Sequence, residues 1–196
     1  MMTRRGSAVA RYFAVVAMAV LALASCSDDG DGDGGASDST TSTTRRPSTT
    51  TTTDAAEAAE AEVEAAYVAA SRAFVDAAAI PDPDFPALAA THTGPMLEQR
   101  REVLLGLQTD GRVVRYPPSS QYRIEVTDVE IDGDVARFVV CVVDDGETVV
   151  ASSGEVVAHG LFTVQARAAM RRVDGTWRLA ERLEDGEWEG IAGCAA

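Results

Sequence analysis

The hydrophobic repeat of this chain changes period once, at Gly111, and that change fixes the class of fold. Before it, apolar residues recur every three or four positions, as on a helix; after it they alternate, as on strands. From Asp54 to about Ala79 the chain is rich in Ala and Glu, with Val63, Tyr67, Ala70, Phe74 and Ala78 on one helical face. Asp54 reads as the N-cap, with Glu57 three residues on, and Ile80-Pro81-Asp82-Pro83 ends the helix. A short helix is expected from about Asp84 to Ala90. Pro95 suits the first turn of another, whose Met96, Leu97, Arg100, Val103, Leu104 and Leu107 share a side and whose C-terminal cap falls at Gly111.

Beyond Gly111, Tyr122, Ile124 and Val126 alternate, and Val129 and Ile131 continue on the opposite parity. That switch means a β-bulge or a strand passing from one face to another. Asp132-Gly133 marks a tight turn. Val135 to Val143 is apolar at both parities apart from Arg137, which predicts a central strand covered on both faces. Asp144-Asp145-Gly146 is a loop. Phe162, Val164, Ala166, Ala168 and Met170 should face inward, with Thr163, Gln165, Arg167 and Arg171 toward water. Asp174-Gly175 turns the chain into a strand carrying Trp177, Leu179 and Leu183. Two or three helices followed by four or more antiparallel strands is an α+β order.

That order, with the Asp174-Gly175-Thr176-Trp177-Arg178 turn, resembles the cone-shaped NTF2-like superfamily over about Asp54 to Cys194. More narrowly, it is similar to small exported actinobacterial proteins with that fold and a C-terminal cysteine. The resemblance implies N-terminal helices packed on a curved antiparallel sheet, with a pocket between them. Enzymes of that superfamily pair a carboxylate or imidazole base with a hydroxyl or protonated acid that polarises a carbonyl. A cystatin-like α+β domain, one helix on a curved sheet, is the alternative.

Ahead of the domain, Arg4, Arg5 and Arg11 precede an apolar run from Tyr12 to Ala24, the layout of a secretory signal and too short for a spanning helix. Leu23-Ala24-Ser25-Cys26 resembles the lipobox of bacterial lipoproteins. The resemblance implies cleavage before Cys26 and diacylation of its thiol, and so a cell-membrane anchor at the extracytoplasmic face. Residues 1–25 then form the signal peptide, residues 26–53 a lipidated Cys and a Ser/Asp/Gly/Thr-rich linker too polar to fold, and residues 54–196 the α+β domain. The Thr-rich half of the linker, Thr40 to Thr53, resembles sugar-bearing stalks.

The chain carries 31 acidic against 17 basic residues, a net charge of −14, which disfavours nucleic acid as a partner. Every basic residue is Arg, so no lysine can serve a P-loop or a Schiff base. With Cys26 assigned to lipid, Cys141 and Cys194 remain as a candidate disulfide in an oxidising compartment. Its loop of roughly 50 residues would contribute at most about 4 kcal/mol.

No catalytic residue, metal site or cofactor can be assigned. His92 and His159 lack ligand neighbours at useful spacing, and no Gly-x-Ser-x-Gly elbow is present. Asp29, Asp31 and Asp33 imitate the start of a calcium loop, but Thr40 stands where its bidentate acid belongs. Tyr67, Tyr116, Tyr122 and the two histidines are the polar groups a pocket could recruit, and Arg115 and Tyr116 could line its mouth. Glu181, Glu184, Asp185, Glu187 and Glu189 around Trp188 read as a solvated face or a docking surface for a basic partner. The expected function is a non-enzymatic module that binds a small apolar ligand or docks onto an envelope protein. The alternative is a small isomerase, dehydratase or hydrolase acting on an apolar substrate. The pocket is expected to draw on Tyr67, Phe74, Leu104, Phe162 and Val164, residues a plain core would also require, and to lack a carboxylate–histidine pair.

Overall fold

The computed structural model describes residues 50–194, with side chains from Asp54 onward. Residues 1–49, with the expected signal segment, Cys26 and most of the expected linker, lie outside the described residues.

Helix α1 spans Thr50–Ala79 and is already formed at Thr50, within the stretch read as linker, so Asp54 is an interior helical residue and not the N-cap. Its Ala-rich composition favours helix intrinsically. Val63, Tyr67, Ala70, Ala73, Ala77 and Ala78 bury one stripe of it. It stops before Pro81, and the Asp82 side chain accepts the Asp84 N–H to shape the connection to α2, Pro86–Thr91. Helix α3, Gly94–Thr109, has Pro95 in its first turn and Gly111 at φ +64° beyond its end, a left-handed position suited to glycine. Met96 and Leu104 are buried, but Val103 is 44% exposed and does not share their face.

Seven strands follow: β1 Arg112–Arg115, β2 Arg123–Asp132, β3 Val135–Asp144, β4 Glu147–Val150, β5 Val156–Ala158, β6 Phe162–Val173 and β7 Thr176–Glu189. The main sheet is an antiparallel meander in the order β2-β3-β6-β7, and a small sheet has the order β1-β4-β5. Both Asp-Gly signals fall at two-residue hairpin turns, the first made by Gly133-Asp134, one residue on, and the second by Asp174-Gly175. Asp174 and Gly175 both have positive φ, as a type I′ turn needs.

The parity switch in β2 is a β-bulge between Thr127 and Glu130, with Asp128 at φ +53°. The β6–β7 ladder carries two more. One falls between Ala169 and Met170, where Ala180 is the extra residue of β7; the other falls between Gln165 and Ala166, where Asp185 is extra. Bulged strands bend and twist more strongly, which curves the sheet around the helices.

The larger core joins Val63, Tyr67, Ala70 and Met96 to the inward row of the sheet, Ala136, Phe138, Val140, Val142, Ala166, Ala168, Met170, Trp177 and Leu179. The Tyr67 and Phe138 rings meet edge to face at 5.2 Å. A smaller core joins Ala77, Ala78, Leu88 and Leu104 beneath Phe74, Phe85, Leu97, Leu107 and Val114. Three helices therefore cover the sheet, against the single helix of the cystatin-like alternative, and the expected helices on a curved antiparallel sheet are present.

Three expectations need correction. On β3 one parity is buried from Ala136 to Val142, while on the other Val143 is buried, Val135, Val139 and Cys141 are half-buried and Arg137 is exposed, so the second face is fully covered only at the Val143 end. Thr163 does not face water: it is buried on the outer side, where its hydroxyl donates to the Gly190 carbonyl at 2.6 Å. Leu183 is 59% exposed, because the extra residue at Ala180 reverses the alternation that runs through Trp177 and Leu179.

The disulfide is present. Cys141 on β3 joins Cys194 with their Cα atoms 5.9 Å apart, drawing the C-terminal tail over the outer face. There the Trp188 ring lies so close to Gly186 and Gly193 that a Cβ at either position would collide with it.

Because Leu104 is fully buried and its neighbour Val103 is not, Leu104→Ala should cost about 2–4 kcal/mol in denaturant unfolding and Val103→Ala less than about 0.5 kcal/mol. Equal costs would contradict the described face of α3.

Candidate functional site

A cavity of about 390 Å³, open to solvent, lies between α1, α3 and the inward face of the curved sheet, with the small sheet closing one side. α1 contributes Tyr67, Ser71, Phe74, Val75 and Ala78, spaced three and four apart on one face, and α3 contributes Arg100. Tyr122, Val142, Val164, Arg182, Glu184 and Glu187 come from the main-sheet side, Phe162 from the start of β6, and Val114 and Thr148 from the small sheet. Tyr67, Phe74, Phe162 and Val164 line the cavity as expected. Leu104 does not; it belongs to the smaller core, beside Ala77 and Leu88.

The cavity is more polar than the sequence pattern suggests. In β7 the bulge at Ala180 opposes Arg182 to Ala168 and Glu184 to Ala166, both inward-facing, so two charged residues enter the cone. Arg182 Nη1 pairs with Glu184 Oε1, and the Tyr67 hydroxyl is also hydrogen-bonded to Arg182. Burial alone would lower the pKa of Arg182, but Tyr67 and Glu184 outweigh it and the value is raised. Arg100 has no such match. Its guanidinium stacks over the Phe74 ring at 4.2 Å, its Nε is buried without a hydrogen-bond partner, and it makes no ion pair among the described residues. Burial first, and the charge of Arg182 second, hold its pKa below the ordinary arginine value.

At the other wall Tyr116 and Tyr122 meet edge to face, with ring centres 5.1 Å apart. Tyr116 Oη donates to Asp144 Oδ1 at 3.1 Å, and the Gly146 N–H donates to the same oxygen at 2.8 Å. Gly146 fits closely there, since a Cβ would come within 3.1 Å of both the Asp144 carboxylate and the Tyr116 ring. Burial, and then Asp144, push the Tyr116 phenol well up and the Tyr122 phenol up to about 12, so both remain neutral donors. Gly160 likewise leaves room for the Phe162 ring that forms part of the wall.

Neither histidine enters the cavity. His159 is exposed. His92 is 1% exposed, in the connection between α2 and α3, where it bridges to Leu179 while the Thr93 N–H donates to the Leu179 carbonyl. Thr91 Oγ1 donates to the Ala87 carbonyl and lies 3.0 Å from His92 Nδ1, so Nδ1 is the natural site of the ring proton. The acidic C-terminal cluster is not one continuous surface. Glu184 faces the cavity, whereas Asp185 receives Arg167 in a bidentate pair on the outer face at 2.8 to 3.0 Å. Among the described residues no three His, Cys, Asp or Glu side chains converge as metal ligands would.

No family profile matches the chain, and no curated protein matches it. The chain is similar to several solved structures. The intermembrane-space region of the chloroplast protein ARC6 superposes with a TM-score of 0.50 at 16% identity, covering 62% of this chain and 95% of its own. A ketosteroid isomerase-like protein from Erwinia carotovora atroseptica gives 0.41 at 21% identity, over 64% of this chain and 95% of that one. An NTF-2 like protein of unknown function from Silicibacter pomeroyi gives 0.38 at 14%, over 64% and 96%. At 16% identity the likeness to the ARC6 region is one of fold.

His92 makes stability pH-dependent. Burial, and secondarily Arg100, lower its pKa from 6.5 to about 4, so between these values the unfolded chain holds a proton that the folded chain excludes. The stabilisation is complete above pH 6.5 and is lost as pH falls toward 4, roughly 3 kcal/mol in all. His92→Gln should flatten this part of the stability profile in denaturant melts between pH 7 and 4; an unchanged slope would mean that another group is responsible.

Proposed function

We propose that the chain is a lipid-anchored binding module. On this reading an NTF2-like domain is held at the extracytoplasmic face of the cell membrane by diacylated Cys26, and takes a small molecule into its cone. The observation that carries binding is the cavity itself: it exceeds the roughly 300 Å³ that small-molecule sites need, it opens to solvent, and it combines aromatic walls with a few converging polar groups. A chain seeking only a packed core would not leave such a void. Among the described residues no helix is long and apolar enough to cross a membrane, and the anchor is assigned to Cys26 on the Leu23-Ala24-Ser25-Cys26 pattern. Two acyl chains make membrane attachment stable where one is marginal.

One contact favours a second reading, a small isomerase, dehydratase or hydrolase: the tyrosine–carboxylate pair of Tyr116 and Asp144 on the cavity wall. Asp144 Oδ1, however, already receives both the Tyr116 hydroxyl and the Gly146 N–H, and it thereby ties the loop between β3 and β4. These contacts account for the pair as part of the loop's structure, and binding is the better-supported role.

Val164→Trp should fill the cavity from the sheet side and leave the cores intact. In a thermal-shift panel of small aromatic and aliphatic acids, alcohols and amines, the unmodified chain should be stabilised by at least one member and Val164→Trp by none. Stabilisation of neither, or of both equally, would refute the cavity as the binding site. For the anchor, Cys26→Ala should move the protein from the membrane to the soluble fraction or arrest its processing; retention in the membrane with normal cleavage would refute lipidation.

A further inference from the structure

We infer that the cavity selects an anionic amphiphile, a small molecule with an aromatic or aliphatic body and a carboxylate-like head, and that Arg100 is the residue that receives the head. This deepens the binding reading and rests on it. The apolar ligand expected from the sequence is thereby replaced by a charged one.

The argument starts from the difference between the two arginines of the cone. Arg182 is matched within the protein by the Glu184 carboxylate and the Tyr67 hydroxyl. Arg100 is not: it has a π-face beneath it at Phe74, a second positive charge nearby, and a buried Nε with no partner. An apolar ligand seated against Arg100 would strip water from a guanidinium and return nothing for it, and a neutral hydroxyl would return only an uncharged hydrogen bond. An anion returns charge-assisted, fork-shaped hydrogen bonds.

The carboxylates of the cavity do not make it a cation site. Glu184 is consumed by Arg182, and Asp144 accepts from Tyr116 and Gly146. Glu187 remains, exposed near the end of β7. An ammonium entering the cone would meet two arginines there. The Tyr122 hydroxyl, itself hydrogen-bonded to Ser71, is a further donor on the same wall, while Val142, Phe162 and Val164 offer the body an apolar surface.

The test is titration calorimetry of the full chain with three probes of one shape: phenylbutyrate, phenylbutanol and phenylbutylamine. Phenylbutyrate should bind at least about tenfold more tightly than the alcohol, and the amine should bind more weakly than either. Raising the salt concentration should weaken the acid and leave the alcohol unchanged, a readout that needs no variant. Arg100→Gln should abolish the preference for the acid over the alcohol, and Arg100→Lys should retain part of it. Equal affinities for acid and alcohol, a preference for the amine, or full acid affinity in Arg100→Gln would overturn the anion inference and leave the binding reading standing. Absence of binding by all three probes would instead sink the binding reading itself.

Discussion

One extra residue in an edge strand decides the chemistry of this cone. Without the bulge at Ala180, the alternation that buries Trp177 and Leu179 would carry Glu181 and Leu183 inward and leave Arg182 and Glu184 in solvent. With it, the paired charges line the cavity and Leu183 is turned out. The second bulge, at Asp185, restores the original parity, and so Glu187 points into the cone while Trp188 covers the outer face. Both bulges also add curvature, and the same insertions therefore shape the cavity and choose what lines it.

Electrostatic cost explains why the cavity is not filled by its own walls. Two guanidiniums within one small volume repel each other, and collapse would have to desolvate both. Glu184 and Tyr67 relieve Arg182, and the Phe74 ring gives Arg100 a favourable face, but neither arrangement removes the need of Arg100 for water or an anion. The apolar residues around them are thus held apart by a charge that cannot be buried alone. Where no charge intervenes, as around Leu88 and Leu104, the helices close onto each other fully.

Much of the fold was legible in the sequence because its signals are local. Helical spacing, the two Asp-Gly turns, the parity switch before Ile131 and the pairing of Cys141 with Cys194 each follow from residues that act within a few positions or from simple counting of thiols. The cavity was half legible: Tyr67, Phe74, Phe162 and Val164 were named, since inward parity and the α1 face give them directly. Arg100 was seen on an apolar helix face, where a long side chain ordinarily lays down its stem and returns its head to water. Arg182 and Glu184 were missed for another reason. Ala180 is small enough for either face of a sheet, so nothing in the residue types marks it as the insertion point. Leu104 was misassigned because a core leucine and a pocket leucine share one periodicity, and only the position of α3 separates them.

The cross-link between Cys141 and Cys194 bears on how the domain would come apart. β7 ends the main sheet and carries the charged wall of the cavity, and a terminal edge strand is ordinarily the first to peel away. Here tension on the tail is handed to β3, two strands inward, before it reaches the hydrogen bonds of β7. At the strand's opposite end the segment around His92 and Thr93 is hydrogen-bonded to Leu179. β7 is thus clipped at both ends, covalently at one and by backbone pairing at the other. The wall least protected by its place in the sheet becomes one that cannot fray from its own terminus.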